Sequence, residues 1–77
     1  MKSDYMDGLY LAKQAAKAGL KVTPGKGDHI KVFAPEGRGY MPIPARPLGR
    51  GLACAIVKWL IAAGVPLALI MLILEAL

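Results

Sequence analysis

Near the start of the chain, apolar residues recur at spacings of three and four: Tyr5, Leu9, Ala12 and Ala16. That period puts them on one face of a helix. It predicts a helix over residues 4–18, capped by Ser3 or Asp4 and stopped by Gly19 in a left-handed conformation. Lys13 and Lys17 fall on its polar side and suit the negative end of the helix dipole.

The period then shortens to two. Residues 20–23, Leu-Lys-Val-Thr, have strand character, and Pro24, Gly25, Lys26 and Gly27 form a turn. Over residues 28–34, Ile30, Val32 and Ala34 point one way while His29, Lys31 and Phe33 point the other. With Ile30 and Val32 toward a core, His29 and Lys31 stand outward. Pro35, Glu36, Gly37 and Arg38 signal a hairpin turn, and residues 39–43 a third strand. Pro42 has no N–H to give a ladder, so this strand belongs at an edge. After a loop, a second helix from about Gly51 carries Leu52, Ile56, Val57, Leu60 and Ile61 on one side, leaves Arg50 and Lys58 in water, and closes at Gly64. The order predicts an α+β fold, α-β-β-β-α: a small three-stranded antiparallel sheet with helices on one face.

No residue from Leu60 to Leu74 is charged. A membrane-spanning helix needs about 20 apolar residues, so residues 59–77 could just cross a bilayer as a tail anchor. The second helix, however, needs its apolar face for the sheet. The simpler reading starts a separate short helix with Pro66 at its first position. Apolar almost all round, that helix must be covered. Leu67, Leu69, Ile70, Leu72, Ile73 and Leu74 are its candidate contact residues, facing a second copy or another protein first and a membrane second. The chain thus divides into a domain over residues 1–65 and an apolar helix over residues 66–77.

Ten basic residues stand against five acidic ones, a net charge of +5 over 77 residues. No carboxylate lies between Gly37 and Leu74, where Arg38, Arg46, Arg50 and Lys58 fall. Such a single-sign field favours polyanions, although it also serves plain solubility. The one cysteine, Cys54, excludes an intramolecular disulfide and reads as a small hydrophobe in an apolar run. One His and one Cys cannot build a zinc site, and no metal or cofactor is expected. The N-terminal residues lack the apolar core of a signal peptide, so a reducing, cytoplasmic location is expected. A chain this short builds no deep cavity; a site should lie on the surface and its substrate should be large.

The only histidine, His29, follows a glycine-rich turn and is flanked in sequence by Lys26 and Lys31. Imidazole is the side chain whose unperturbed pKa lies near physiological pH, which suits proton transfer in phosphodiester cleavage. Lys26, Lys31 and Arg38 are candidates for stabilising charge on phosphate. Gly25 and Gly27 would let backbone N–H groups approach it. The plainer reading makes His29 an ordinary strand residue, the lysines and arginines solvated charges, and Phe33 and Trp59 packing residues.

The stretch 9–65 resembles the HicA toxins of bacterial and phage toxin–antitoxin pairs. A first helix runs into Ala18-Gly-Leu-Lys-Val22. A glycine-rich turn leads into Asp28-His-Ile-Lys-Val32, a hairpin reaches Tyr40-Met-Pro42, and a helix closes with Ile56-Val-Lys-Trp-Leu-Ile-Ala-Ala-Gly-Val65. The resemblance implies a fold like that of double-stranded-RNA-binding domains, a ribonuclease activity on mRNA, and neutralisation by a HicB-like antitoxin. It makes His29 the catalytic histidine. Tyr40 and Arg46 join Lys26, Lys31, Arg38, Gly25 and Gly27 as candidate RNA-contacting residues. Two departures stand out. Where many members carry a second histidine after the third strand, this chain has Pro42-Ile-Pro-Ala-Arg46-Pro47, so the second proton transfer falls to Lys, Tyr40 or water and cleavage should be slow. The family also normally ends near Val65, before the apolar tail. Two other functions fit the same residues: a non-enzymatic module that binds nucleic acid or protein on this fold, and a small tail-anchored membrane protein.

Overall fold

The computed structural model describes residues 7–76. Its elements are α1 (Gly8–Lys17), β1 (Lys21–Pro24), β2 (His29–Phe33), β3 (Tyr40–Pro44), α2 (Arg50–Ala62) and α3 (Ala68–Ala76). The fold is α+β, with the expected order α-β-β-β-α followed by the short third helix. The sheet is antiparallel with order β1-β2-β3. β3 is therefore an edge strand, as Pro42 requires. Pro24, expected in the turn, instead ends β1, the other edge, where its missing N–H is tolerated.

Helix α1 differs from the sequence pattern in start and face. Ser3, Asp4 and Tyr5 lie outside the described residues. Asp7 is extended and caps the helix, its side chain accepting from the Leu9 N–H at 2.9 Å. The buried face is Gly8, Leu11, Ala12 and Ala15, whereas Leu9 is 43% exposed and Ala16 is exposed. The cause is a close approach of backbones. The Gly8 N–H donates to the Arg46 carbonyl at 2.9 Å, and a Cβ on Gly8 would stand 1.7 Å from the Pro44 carbonyl oxygen. Only glycine lets α1 seat on β3 there, and that contact sets the helix rotation. At the other end, Leu20 N–H bonds the Ala15 carbonyl and Gly19 N–H the Ala16 carbonyl, with Gly19 at φ 95°. This is the expected glycine stop.

The sheet follows its alternation. Val22, Val32 and Met41 are paired across the strands, as are Ile30 and Ile43, and all five belong to or pack on the core. The core joins Leu11, Ala12 and Ala15 of α1 to Val32, Ile43 and the α2 residues Ala53, Ile56, Val57 and Leu60. Leu52 was expected on the buried side of α2 but is 46% exposed, and Ala53 takes its place. Ile61 is half-buried. Between β2 and β3 a 3-10 turn over Pro35–Gly37 supplies the expected reversal.

The tail is not one long helix. Gly64, at φ 102°, ends α2, and Val65 and Leu67 insert into the core at 2% and 3% exposure. The chain must stay non-helical to bury both, so Pro66 lies in the turn rather than opening α3. Of the candidate contact residues on α3 and its approach, Leu67 and Leu74 are buried inside this chain and are not available to a partner. Ile70 packs partly on the core and Ile73 is half-buried. Leu69 and Leu72 face out, at 71% and 64% exposure. Arg50, expected in water, instead donates from Nε to the Leu74 carbonyl at 3.0 Å, tying the start of α2 to the end of α3. Among the described residues no helix is long and apolar enough to cross a membrane.

The contact at Gly8 sets a test with two signs. Gly8→Ala should lower stability by about 1–3 kcal/mol through overpacking, despite alanine's better helix propensity. Gly51→Ala on α2, where an added Cβ meets nothing within 4 Å, should raise it by up to about 1 kcal/mol. Urea unfolding measures both; a stabilised Gly8→Ala would contradict the packing.

Candidate functional site at the open face of the sheet

All three helices share the core on one face of the sheet, which leaves the other face open. Directly paired residues share a face, and so do alternate residues along a strand. The register therefore builds that face in rows: Lys21, Phe33 and Tyr40; then Thr23, Lys31 and Pro42; then His29, whose partner Pro44 is buried. His29 and Lys31 stand outward, as the alternation predicted.

At the His29 end, the β1–β2 turn folds over the sheet. Gly27 is left-handed at φ 62°, and the His29 N–H bonds the Lys26 carbonyl at 3.1 Å. This turn brings Lys26 back over the face. Gly25, Lys26, His29, Lys31, Tyr40 and Pro42 line one open groove of about 370 Å³. Five of the eight residues expected to bind RNA or act on it thus share one surface.

The other three do not join them. Arg38 lies in the β2–β3 turn at the far end of β2, where it approaches Glu36 at 3.9 Å. It is too distant along the strand to act on the same phosphate as His29. Gly27 lies on the turn outside the groove lining. Arg46 is spent on a carboxylate: its guanidinium donates to Asp28 Oδ2 at 2.6 Å. Gly25 also changes role. Its N–H is already donated to the His29 carbonyl at 2.8 Å, so it does not await a phosphate. A Cβ there would stand 3.0 Å from that same oxygen. Gly25 is needed to close the turn on His29.

Asp28 is the residue that sequence reasoning missed. The Ala45 N–H donates to its carbonyl at 2.8 Å, continuing the ladder past β3 and setting Arg46 opposite Asp28. The carboxylate then spans two groups, with Oδ2 on Arg46 and Oδ1 3.2 Å from Nδ1 of His29. The hydrogen-bonded Arg46 guanidinium holds the Asp28 carboxyl below its ordinary pKa, with a smaller contribution from the imidazole. Nδ1 is therefore the ring nitrogen that faces the carboxylate. The signal was present as an acid adjacent to the only histidine, but its partner lies far along the chain. Among the described residues no group of His, Cys, Asp and Glu could hold a metal ion.

No family model, curated protein or solved structure matches this chain.

Because the folded pKa of Asp28 is depressed, the Asp28–Arg46 pair stabilises the fold above the ordinary carboxylate range and loses that contribution as pH falls through the lowered value. Arg46→Ala should move the Asp28 carboxyl back up toward its ordinary pKa in a carbon-detected NMR titration and remove this part of the acid sensitivity. An unmoved Asp28 titration would show that Arg46 does not hold it.

Proposed function

We propose that this protein is an RNA endonuclease of the HicA type, acting through His29 on the open face of the sheet. One observation carries the reading. The single imidazole stands in a groove with Lys26, Lys31 and Tyr40, while its Nδ1 is backed by a carboxylate that an arginine keeps ionised. The resemblance over residues 9–65 supplies the substrate: mRNA in the cytoplasm, with a HicB-like antitoxin as partner.

RNA carries its own nucleophile. In this reaction Nε2 of His29 takes the proton of a 2′-hydroxyl as its oxygen attacks the adjacent phosphorus. The bond to the 5′-oxygen breaks, leaving a 2′,3′-cyclic phosphate on one fragment and a 5′-hydroxyl on the other. Lys26 and Lys31 offset the charge that grows on the phosphate oxygens. With one histidine, the proton for the leaving oxygen comes from Lys26, Lys31, Tyr40 or water. Proton transfer by a positioned side chain contributes typically about 10²–10⁴-fold, and one such group rather than two makes a slow enzyme. Slow turnover still suffices for a toxin whose target is every message in the cell.

Purified wild-type protein should cut an unstructured RNA to fragments ending in 2′,3′-cyclic phosphate. His29→Ala should lose at least about 10²-fold in rate and should no longer arrest growth when expressed. Equal cleavage and equal growth arrest by the two forms would refute the assignment and favour a non-enzymatic binding module.

A further inference from the structure

The open face carries a second feature beside the His29 groove. Phe33 and Tyr40 are paired across β2 and β3. Their ring centroids lie 5.5 Å apart, tilted by 44°. Lys21 Nζ stands 5.7 Å from the Phe33 centroid and Lys31 Nζ 5.1 Å from the Tyr40 centroid. These four side chains form a strip across the end of the sheet, an aromatic pair with a lysine at each side. None of them belongs to the core or the groups packed on it, and Tyr40 is 49% exposed. A second open groove, of about 460 Å³, is lined by Lys21, Phe33, Ala34, Gly37, Gly39 and Tyr40. Tyr40 lines both grooves.

We propose that Phe33 and Tyr40, flanked by Lys21 and Lys31, form a base-stacking subsite that holds unpaired bases of the RNA strand whose phosphate is presented to His29. An aromatic pair flanked by two cations matches the two surfaces of a single strand: a flat base face and a charged backbone. Base pairs inside a duplex are stacked on one another and present edges, not faces, so only an unstacked base can lie on these rings. Phe33 lies four residues from His29 along β2, about 13 Å at the usual strand rise. Rings and imidazole therefore address neighbouring positions on one extended strand rather than the same nucleotide. A base arriving on Tyr40 takes the ring face that Lys31 now covers and frees that ammonium for the adjoining phosphate. Tyr40 thus serves as a platform more than as a proton donor.

This inference rests on the nuclease reading for the chemistry at His29, but the binding can be measured without cleavage. The probe is a 2′-O-methyl RNA octamer, which lacks the nucleophile, titrated against the full chain by fluorescence anisotropy beside a blunt duplex of the same length. The single strand should bind more tightly than the duplex. Tyr40→Ala should weaken octamer binding by about five- to a hundredfold, while Tyr40→Phe retains it. Lys21→Ala should also weaken it and should lower the slope of log affinity against log salt by about 0.7, a slope that Tyr40→Ala leaves in place. Circular dichroism checks folding, and if Tyr40→Ala does not fold, Tyr40→Leu against Tyr40→Phe decides: leucine must lose affinity. Duplex binding as tight as that of the single strand, or folded Tyr40→Ala or Tyr40→Leu binding like wild type, overturns the subsite. Protein that binds the octamer through Tyr40 but cuts no unmodified RNA keeps the subsite and overturns the nuclease. Protein that cuts through His29 while folded Tyr40→Ala binds unchanged does the reverse.

Discussion

The seating of Gly8 against Pro44 is the contact on which the rest of the molecule depends. Where a side chain would collide with the Pro44 carbonyl, glycine lets α1 come down on β3 and donate to Arg46. That hydrogen bond, with the Asp7–Pro47 bridge beside it, fixes the chain leaving β3. The same short segment reaches back through Ala45 to Asp28 and puts the Arg46 guanidinium on its carboxylate. Asp28 in turn stands against His29. A backbone contact at the core thus orients, through a handful of polar links, the only imidazole in the chain.

The sheet separates two kinds of chemistry by alternation alone. One face gives Val22, Ile30, Val32, Met41 and Ile43 to the core. The other displays Lys21, His29, Lys31, Phe33 and Tyr40. A one-residue slip of β2 would exchange Ile30 and Val32 for His29, Lys31 and Phe33, so the hydrophobic core and the candidate site share one register. Asp28, the acid nearest the histidine, has its charge met by Arg46, which leaves the positive field of Lys26 and Lys31 over the groove largely intact.

Much of this was legible in local pattern and some was not. The alternation around Ile30 and Val32 identified the outward side of β2, and Pro42 identified an edge, because both depend on neighbours in sequence. Helix α1 misled because Leu9, Ala12 and Ala16 make as good a stripe as Gly8, Leu11, Ala12 and Ala15; only the approach of a distant carbonyl chooses between them. Arg46 read as a phosphate ligand because its partner Asp28 lies across the sheet. Gly25 read as a free donor because its bond to His29 exists only once the turn closes. The apolar tail read as a surface seeking a partner, yet Leu67 and Leu74 are covered by their own chain, and Leu69 and Leu72 are what remains outside. In each case the missing information was tertiary.

The open face around His29 is the surface proposed to meet RNA. Amide chemical-shift mapping of the full chain with a non-cleavable single-stranded RNA tests it most directly. The largest shifts should fall on Lys26, His29, Lys31 and Tyr40, with α2 and α3 little changed. Shifts concentrated on the exposed side of α3, around Leu69 and Leu72, or spread evenly over the basic surface, would contradict it.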